Sequence, residues 1–307
     1  MASGDGTDEE MGRVFRGRPA LHVFSSDATI TLETPSDWRS AMRVPAHLAL
    51  LAFVAAGAPA MAQPLEPEQA GLLEKAREAA IRYSESLPDF ICTEVVRRTQ
   101  DAQGNGRWRT LDTLTLKLSY FAHKEDYKLM EVDGKPTVLE YLQVGGAVST
   151  GEFGTRLFSV FDRRSHGDFR WKGWSTLRKR RVARFTYHIA RENSIYLIQY
   201  GPHPEGPNAI IVAYHGEVYV DEETHMALRL TQQAEIPAGF PIESNESTVD
   251  YQYGAVGGMQ YLLPWHAYGK TKSGKSVAEN NVEFREYRKF QTDANISFDP
   301  PAEKKQD

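Results

Sequence analysis

The sequence predicts a mostly β protein of the α+β class: one large, strongly curved antiparallel sheet with an N-terminal helix and a short mid-chain helix. Three observations predict it. From residue 90 onward, apolar side chains recur at every second position in run after run. Hairpin signals separate those runs: Gly104-Asn105-Gly106, Asp133-Gly134, Gly257-Gly258 and Ser273-Gly274-Lys275. A helical period appears in only two places, 66–87 and 149–161.

The stretch before the first helix reads as an export signal. Met42-Arg43 gives a positive start, Leu48–Ala56 an apolar core, and Gly57-Ala58-Pro59 a helix break. Ala60-Met61-Ala62 then has the A-x-A form of a cleavage site, which predicts cleavage between Ala62 and Gln63 and a periplasmic or secreted product. A retained membrane anchor needs about 20 apolar residues, more than this core supplies between Pro45 and Pro59. Residues 1–41 open with an acidic, Gly-rich run and place the core unusually deep. Translation from Met42 explains this, and a cytoplasmic tail on a type II anchor is the alternative. The organisation expected is an N-terminal extension (1–41), non-native or disordered, a signal peptide (42–62) and one β-rich domain (63–307), with no membrane span after cleavage.

Charge and cysteine content narrow the function classes. The chain has 36 Lys+Arg against 41 Asp+Glu, net −5, so nothing points to nucleic acid as a partner. Cys92 is the only cysteine, which excludes an intrachain disulfide, so stability must come from a buried core. The residue after the cleavage site is Gln63, not the cysteine of a lipid-anchored protein.

The first helix spans Glu66 to Leu87, with Leu73, Ala76, Ala80, Tyr83 and Leu87 on one stripe, Pro67 in its first turn and Pro88 ending it. Phe90–Thr99 and Trp108–His123 follow as strands, the second burying Leu114, Leu116, Leu118 and Tyr120. Tyr127–Val132 and Val138–Val144 complete a meander across Asp133-Gly134. Ser149 and Glu152 have the form of a capping box for a short helix carrying Phe153, Leu157, Phe158, Val160 and Phe161. Trp171 and Trp174 come next. Arg181–Ala190 is expected to pair with Ser194–Tyr200, ahead of a Pro-rich loop at 201–207. Ile210–Tyr214, Glu217–Val220, Leu228–Glu235 and the hairpins up to Val277–Phe290 bring the count to about ten strands, near the limit of an open sheet before it curls.

No catalytic motif is found. There is no G-x-S-x-G elbow, and nothing near Cys92 lowers a thiol pKa. His215, Glu217, Asp221, Glu223 and His225 lie close in sequence, but a hairpin centred on Glu222-Glu223 separates the two histidines by more than about 10 Å. No metal site and no cofactor are therefore expected. Two groups remain. Phe153, Leu157, Phe158, Phe161, Trp171 and Trp174 either fill the core or line a groove suited to acyl chains. Arg178, Lys179, Arg180, Arg181 and Arg184 form the densest basic run, a patch for anionic headgroups or an acidic partner.

The stretch His215–Glu235 (HGEVYVDEETHMALRLTQQAE), with its strand, D-x-x-T turn at Asp221 and Thr224, and returning Leu228-Arg229-Leu230, resembles the periplasmic lipoprotein-carrier superfamily (LolA/LolB/RseB-like). The segments STGEFGTRLFSVFD and FRWKGWSTLRKRRVARFTYHI are similar to secreted bacterial proteins that carry no established activity. The superfamily resemblance implies an incomplete barrel whose helix-roofed concave face holds acyl chains or a partner segment. Two functions follow as expectations: a non-catalytic carrier or sensor for a lipid, lipoprotein or peptide segment, or an envelope interaction scaffold with a fully packed sheet.

Overall fold

The alternating segments assemble into an eleven-stranded antiparallel sheet, here in a computed structural model that describes residues 20–25, 64–201 and 208–290. The signal segment 42–62, the Ala62–Gln63 junction and most of the Pro-rich loop lie outside the described residues, as does all of 1–41 except 20–25.

In chain order the elements are β1 (Ala20–Ser25), α1 (Pro67–Ser86), β2 (Phe90–Asp101), β3 (Arg109–Phe121), β4 (Lys124–Val132), β5 (Lys135–Pro136) and β6 (Gly146–Ser149). Then come α2 (Gly154–Phe161), β7 (Asp168–Leu177), β8 (Arg180–Ile189), β9 (Tyr196–Tyr200), β10 (Ala209–Ile211) and β11 (Ala213–Asp221). Four long strands finish the chain: β12 (Ala227–Glu235), β13 (Ser244–Val256), β14 (Met259–Ser273) and β15 (Ser276–Lys289). The large sheet runs β5-β4-β3-β2-β15-β14-β13-β12-β11-β8-β7, so the first and last long strands pair in its interior and it does not close. A second sheet, β10-β9-β1-β6, holds β1 parallel to β6 and antiparallel to β9.

Sequence chemistry explains the ends of these elements. Gln69 accepts a hydrogen bond from the Glu66 backbone N–H at 3.1 Å, and Pro67 opens α1 where no N–H is needed. At the β2–β3 turn the Asp101 carboxylate accepts from the N–H groups of Gly104 (2.9 Å) and Gly106 (2.6 Å), both glycines at positive φ. The core lies between one face of the large sheet and the two helices. Leu73, Ala76, Ala80 and Tyr83 of α1 face Leu114, Leu116, Leu118, Phe185 and Val218 of the sheet as parts of one buried cluster.

Three local expectations need correcting. Val138–Val144 does not return as a strand: β5 is two residues long, Val138 is fully exposed, and Tyr141–Gln143 forms a 3-10 turn. β8 pairs with β7 and β11 rather than with β9, because Arg178 and Lys179 adopt positive φ and make the tight turn that joins β7 to β8. Ser149 and Glu152 do not cap α2, whose N-cap is Phe153; the Ser149 hydroxyl instead donates to Glu152 at 2.8 Å.

Candidate functional site

The site is built around α2, eight residues whose apolar side turns to the inner face of the sheet. An isolated helix this short is marginal in water, so packing holds it in place. Phe153, Leu157 and Phe161 are at most 1 % exposed. Phe153 sits among Phe90 (5.2 Å between ring centroids), Phe284 (5.4 Å) and Tyr120 (6.3 Å), and Phe161 stacks on Phe169 at 5.7 Å. Phe158 is only part-buried and meets the Arg164 guanidinium.

Trp171 and Trp174 stand farther along β7, where register places them opposite the buried Phe185 and Ala183. Trp171 packs edge-on to Phe185 at 5.2 Å and to Trp174 at 5.5 Å. Trp174 remains 40 % exposed, with the Arg181 guanidinium 4.1 Å above its ring. The structure thus brings Phe153, Leu157 and Phe161 together under α2 and leaves the two tryptophans at the edge strand.

The four arginines of the basic run are spread over five carboxylates. Arg178 reaches Asp250 at 3.0 Å, Arg180 reaches Asp221 at 2.5 Å and Glu223 at 3.1 Å, and Arg181 and Arg184 reach Glu222 and Glu217, each at 2.6 Å. Lys179 is exposed at the tip of the turn. The pairs of Arg180, Arg181 and Arg184 arise because β11 and its acidic turn lie beside β8, whereas Arg178 reaches across to β13. Burial pushes Asp221 up, but the bonds from Arg180 and Thr224 outweigh it and hold the carboxyl at about 2. His215 faces Gln233 across β11–β12 and bonds Glu235 at 3.0 Å, whereas His225 lies in the following turn. Among the described residues no three His, Cys, Asp or Glu side chains are placed to hold one metal ion.

Sequence reasoning missed a polar cluster beneath the N-terminal end of α2. The Tyr127 hydroxyl donates to Glu125 and lies 3.1 Å from Glu152. Glu152 also receives Nη2 of Arg156 at 3.2 Å, while Nη1 of Arg156 donates to Ser247 at 2.6 Å. The N–H groups of Gly151 and Phe153 point at Glu125, at 3.1 and 3.4 Å. Glu94 of β2 is buried, and one of its carboxylate oxygens has no partner among the described residues. Burial, with Glu152 and Glu125 nearby, pushes Glu94 well above the usual carboxylate range; burial and Glu152 push Glu125 up to about 7. Burial likewise raises the Cys92 thiol, which keeps it protonated. The signal that could have found this cluster is parity: Glu94 falls between Cys92 and Val96, at an inward position of its strand.

Two hollows flank these groups. A void of about 20 Å³, room for one water, lies beside Glu152 and Arg156 between β6, Tyr196 of β9 and the floor strands β13–β15. On the opposite, helix-free face an open trough of about 780 Å³ crosses β7, β8 and β11–β14. Most of its charged side chains are paired, Lys172 and Arg184 with Glu217 and Arg170 with Asp168, and His188 and His215 both lie against Glu235.

No family model matches the chain, and no curated protein does. Among solved structures it is similar to a LolA superfamily protein from Nitrosomonas europaea, at 8 % identity and TM-score 0.35, covering 72 % of this chain and 93 % of that one. It is also similar to a putative outer membrane lipoprotein-sorting protein domain from Vibrio parahaemolyticus (11 %, TM-score 0.34, 73 % and 94 % covered). A third is the Mycobacterium tuberculosis lipoprotein LppX (8 %, TM-score 0.27, 71 % and 95 % covered).

Proposed function

We propose that this chain is an exported, non-catalytic carrier or sensor that accepts an apolar ligand on the concave face of its large sheet, with α2 as a displaceable cover. One observation carries the reading: a largely apolar sheet face, broken by a few buried polar groups, is roofed in part by a single eight-residue helix. Glycines bracket that cover, with Gly145, Gly146 and Gly151 at positive φ before it and Gly167 after it. An acyl chain gains about 0.8 kcal/mol for each CH₂ it buries, so replacing the contacts of Phe153, Leu157 and Phe161 takes a long chain, of about a dozen methylenes or more. Lipids, lipoproteins and envelope proteins are the partner classes. Export rests on the Met42–Gln63 pattern, and the non-catalytic reading on the lack of a catalytic motif.

The second reading is an interaction scaffold with no vacancy, and the near-complete burial of Phe153, Leu157 and Phe161 favours it. Native mass spectrometry and titration with a fluorescent fatty acid separate the two. A co-purifying lipid or saturable probe binding is the expected result. A protein that carries no lipid and binds no probe returns the function to the scaffold.

A further inference from the structure

We infer that in the exported protein the slot between β6 and β9 is a receptor site for one extended polypeptide strand, recognised through its main chain. The inference rests on the export reading above, and specifically on loss of residues 1–62.

The argument begins with what fills the slot in the full-length chain. β1 runs between β6 and β9, with Leu21, His22 and Val23 in register with Ala147, Val148 and Ser149, and Leu21 to Ser25 in register with Tyr200 to Tyr196. It is therefore hydrogen-bonded along both edges. All six of its residues precede the Ala62–Gln63 junction. A chain that begins at Gln63 lacks them, whether they are cleaved away or never translated.

What remains has the shape and chemistry of a strand acceptor. Strands on either side of a third stand about 9–10 Å apart, a gap that admits one more backbone and no thicker element. Among the described residues β6 has no other strand partner, so removing β1 leaves it without a ladder on either edge. With β1 seated, Val148 and Ile198 are at most 3 % exposed, and its loss takes the strand partner from the facing edges of both β6 and β9. A further unpartnered acceptor stands beside the slot, where the buried Gln199 amide oxygen of β9 has no partner among the described residues.

The floor favours a polypeptide over a hydrocarbon chain. β6 and Tyr196 of β9 are two walls of the 20 Å³ void, whose floor includes Asn245, Ser247, Thr271 and Asn280. Asn280 donates to the Ala147 carbonyl at 2.9 Å, and Asn245 bonds Thr271 at 2.9 Å and Tyr196 at 2.5 Å. Strand edges above an amide and hydroxyl floor suit a ligand rich in N–H and C=O groups, which is the logic of strand addition. Because β1 is parallel to β6 and antiparallel to β9, the two walls are antiparallel to each other. Direct closure of β6 onto β9 is the competing outcome.

The test uses the exported protein after its N-terminus has been sequenced, the unprocessed full-length chain, and a fluorescent peptide spanning residues 18–27. Saturable binding to the exported protein is expected, with little or none to the full-length chain, whose own strand occupies the slot. A Val23→Pro peptide, which loses a ladder donor, should bind about tenfold or more weakly. Hydrogen exchange should slow at 146–149 and 196–200 when the parent peptide is added. The inference is overturned by an exported protein that retains residues 20–25. It is equally overturned by a protein starting at Gln63 that binds no peptide and already protects those amides as strongly as the full-length chain. Fatty-acid probe binding without peptide binding overturns it too, and leaves the carrier reading standing.

Discussion

Glu152 and Arg156 form an ion pair at 3.2 Å in which neither side chain is more than 9 % exposed, beside two other carboxyl groups, Glu94 and Glu125. Arg156 is the one guanidinium bonded to this cluster among the described residues, and its second bond, to Ser247, ties the start of α2 to β13. Breaking one partner of a buried pair costs about 3–5 kcal/mol, because the other charge is left without compensation. Arg156→Met should therefore lower the urea midpoint sharply. The Glu152→Gln/Arg156→Met double variant should recover much of the loss, since it removes both charges. A double variant no better than the single would show that the charges are not coupled.

Glu125 supplies a pH dependence with a defined sign. Burial and Glu152 raise its pKa to about 7, so the folded protein holds a proton that the unfolded chain releases near 4.5. The associated stability is full below about 4.5 and is lost as pH rises to about 7. Glu94 acts in the same direction. Asp221, held at about 2, acts oppositely and in another window, losing its contribution only as pH falls below about 4. Urea midpoints between pH 4.5 and 7.5 should thus fall with pH, and Glu125→Gln should make that slope shallower. An unchanged slope in the variant would remove Glu125 as its source.

Gly216 is required for a specific close approach. A Cβ built there would stand 1.9 Å from the Thr231 carbonyl oxygen and 2.9 Å from the Tyr187 hydroxyl, which itself donates to that carbonyl at 2.7 Å. Gly216→Ala should cost at least about 1–3 kcal/mol through forced displacement of the strand. Tyr187→Phe, which loses only the hydrogen bond, should cost about 1 kcal/mol. Thermal melts of both variants check the order, and equal losses would mean that the sheet absorbs the methyl group without moving.

Periodicity made much of this architecture legible. The stripe Leu73–Ala76–Ala80–Tyr83 and the alternation Leu114–Leu116–Leu118–Tyr120 each have one physical solution, and both elements form where expected. Pairing between distant strands was less legible. Two consecutive basic residues at positive φ carry no turn signal, so nothing in the sequence marks Arg178-Lys179 as the join between β7 and β8, and Arg181–Ala190 reads onto Ser194–Tyr200 instead. The apolar half of the site was visible in the spacing of Phe153, Leu157 and Phe161. Its polar half was not, because Glu94, Glu125 and Arg156 resemble solvated residues until topology buries them against one another.

Phe161 and Trp174 separate a core from a cover. Phe161 is fully buried against Phe169, so Phe161→Ala should cost about 3–5 kcal/mol. Trp174 is 40 % exposed, and the Arg181 contact above its ring contributes only about 0.5–1 kcal/mol at such a site, so Trp174→Ala should cost far less. Denaturant titration measures both. Probe binding then gives the functional answer. If an apolar ligand binds only when α2 is displaced, the closed state reduces apparent affinity by the fraction that is competent, and weakening the cover removes part of that reduction. Phe161→Ala should then bind a fluorescent fatty acid more tightly than the parent protein, at temperatures where both remain folded. Trp174→Ala, which does not touch the cover's seat on Phe169, should leave affinity near the parent value. Weaker binding in Phe161→Ala would make Phe161 a wall of the site rather than part of its lid. No binding in either protein would mean that the helices and sheet form one closed core.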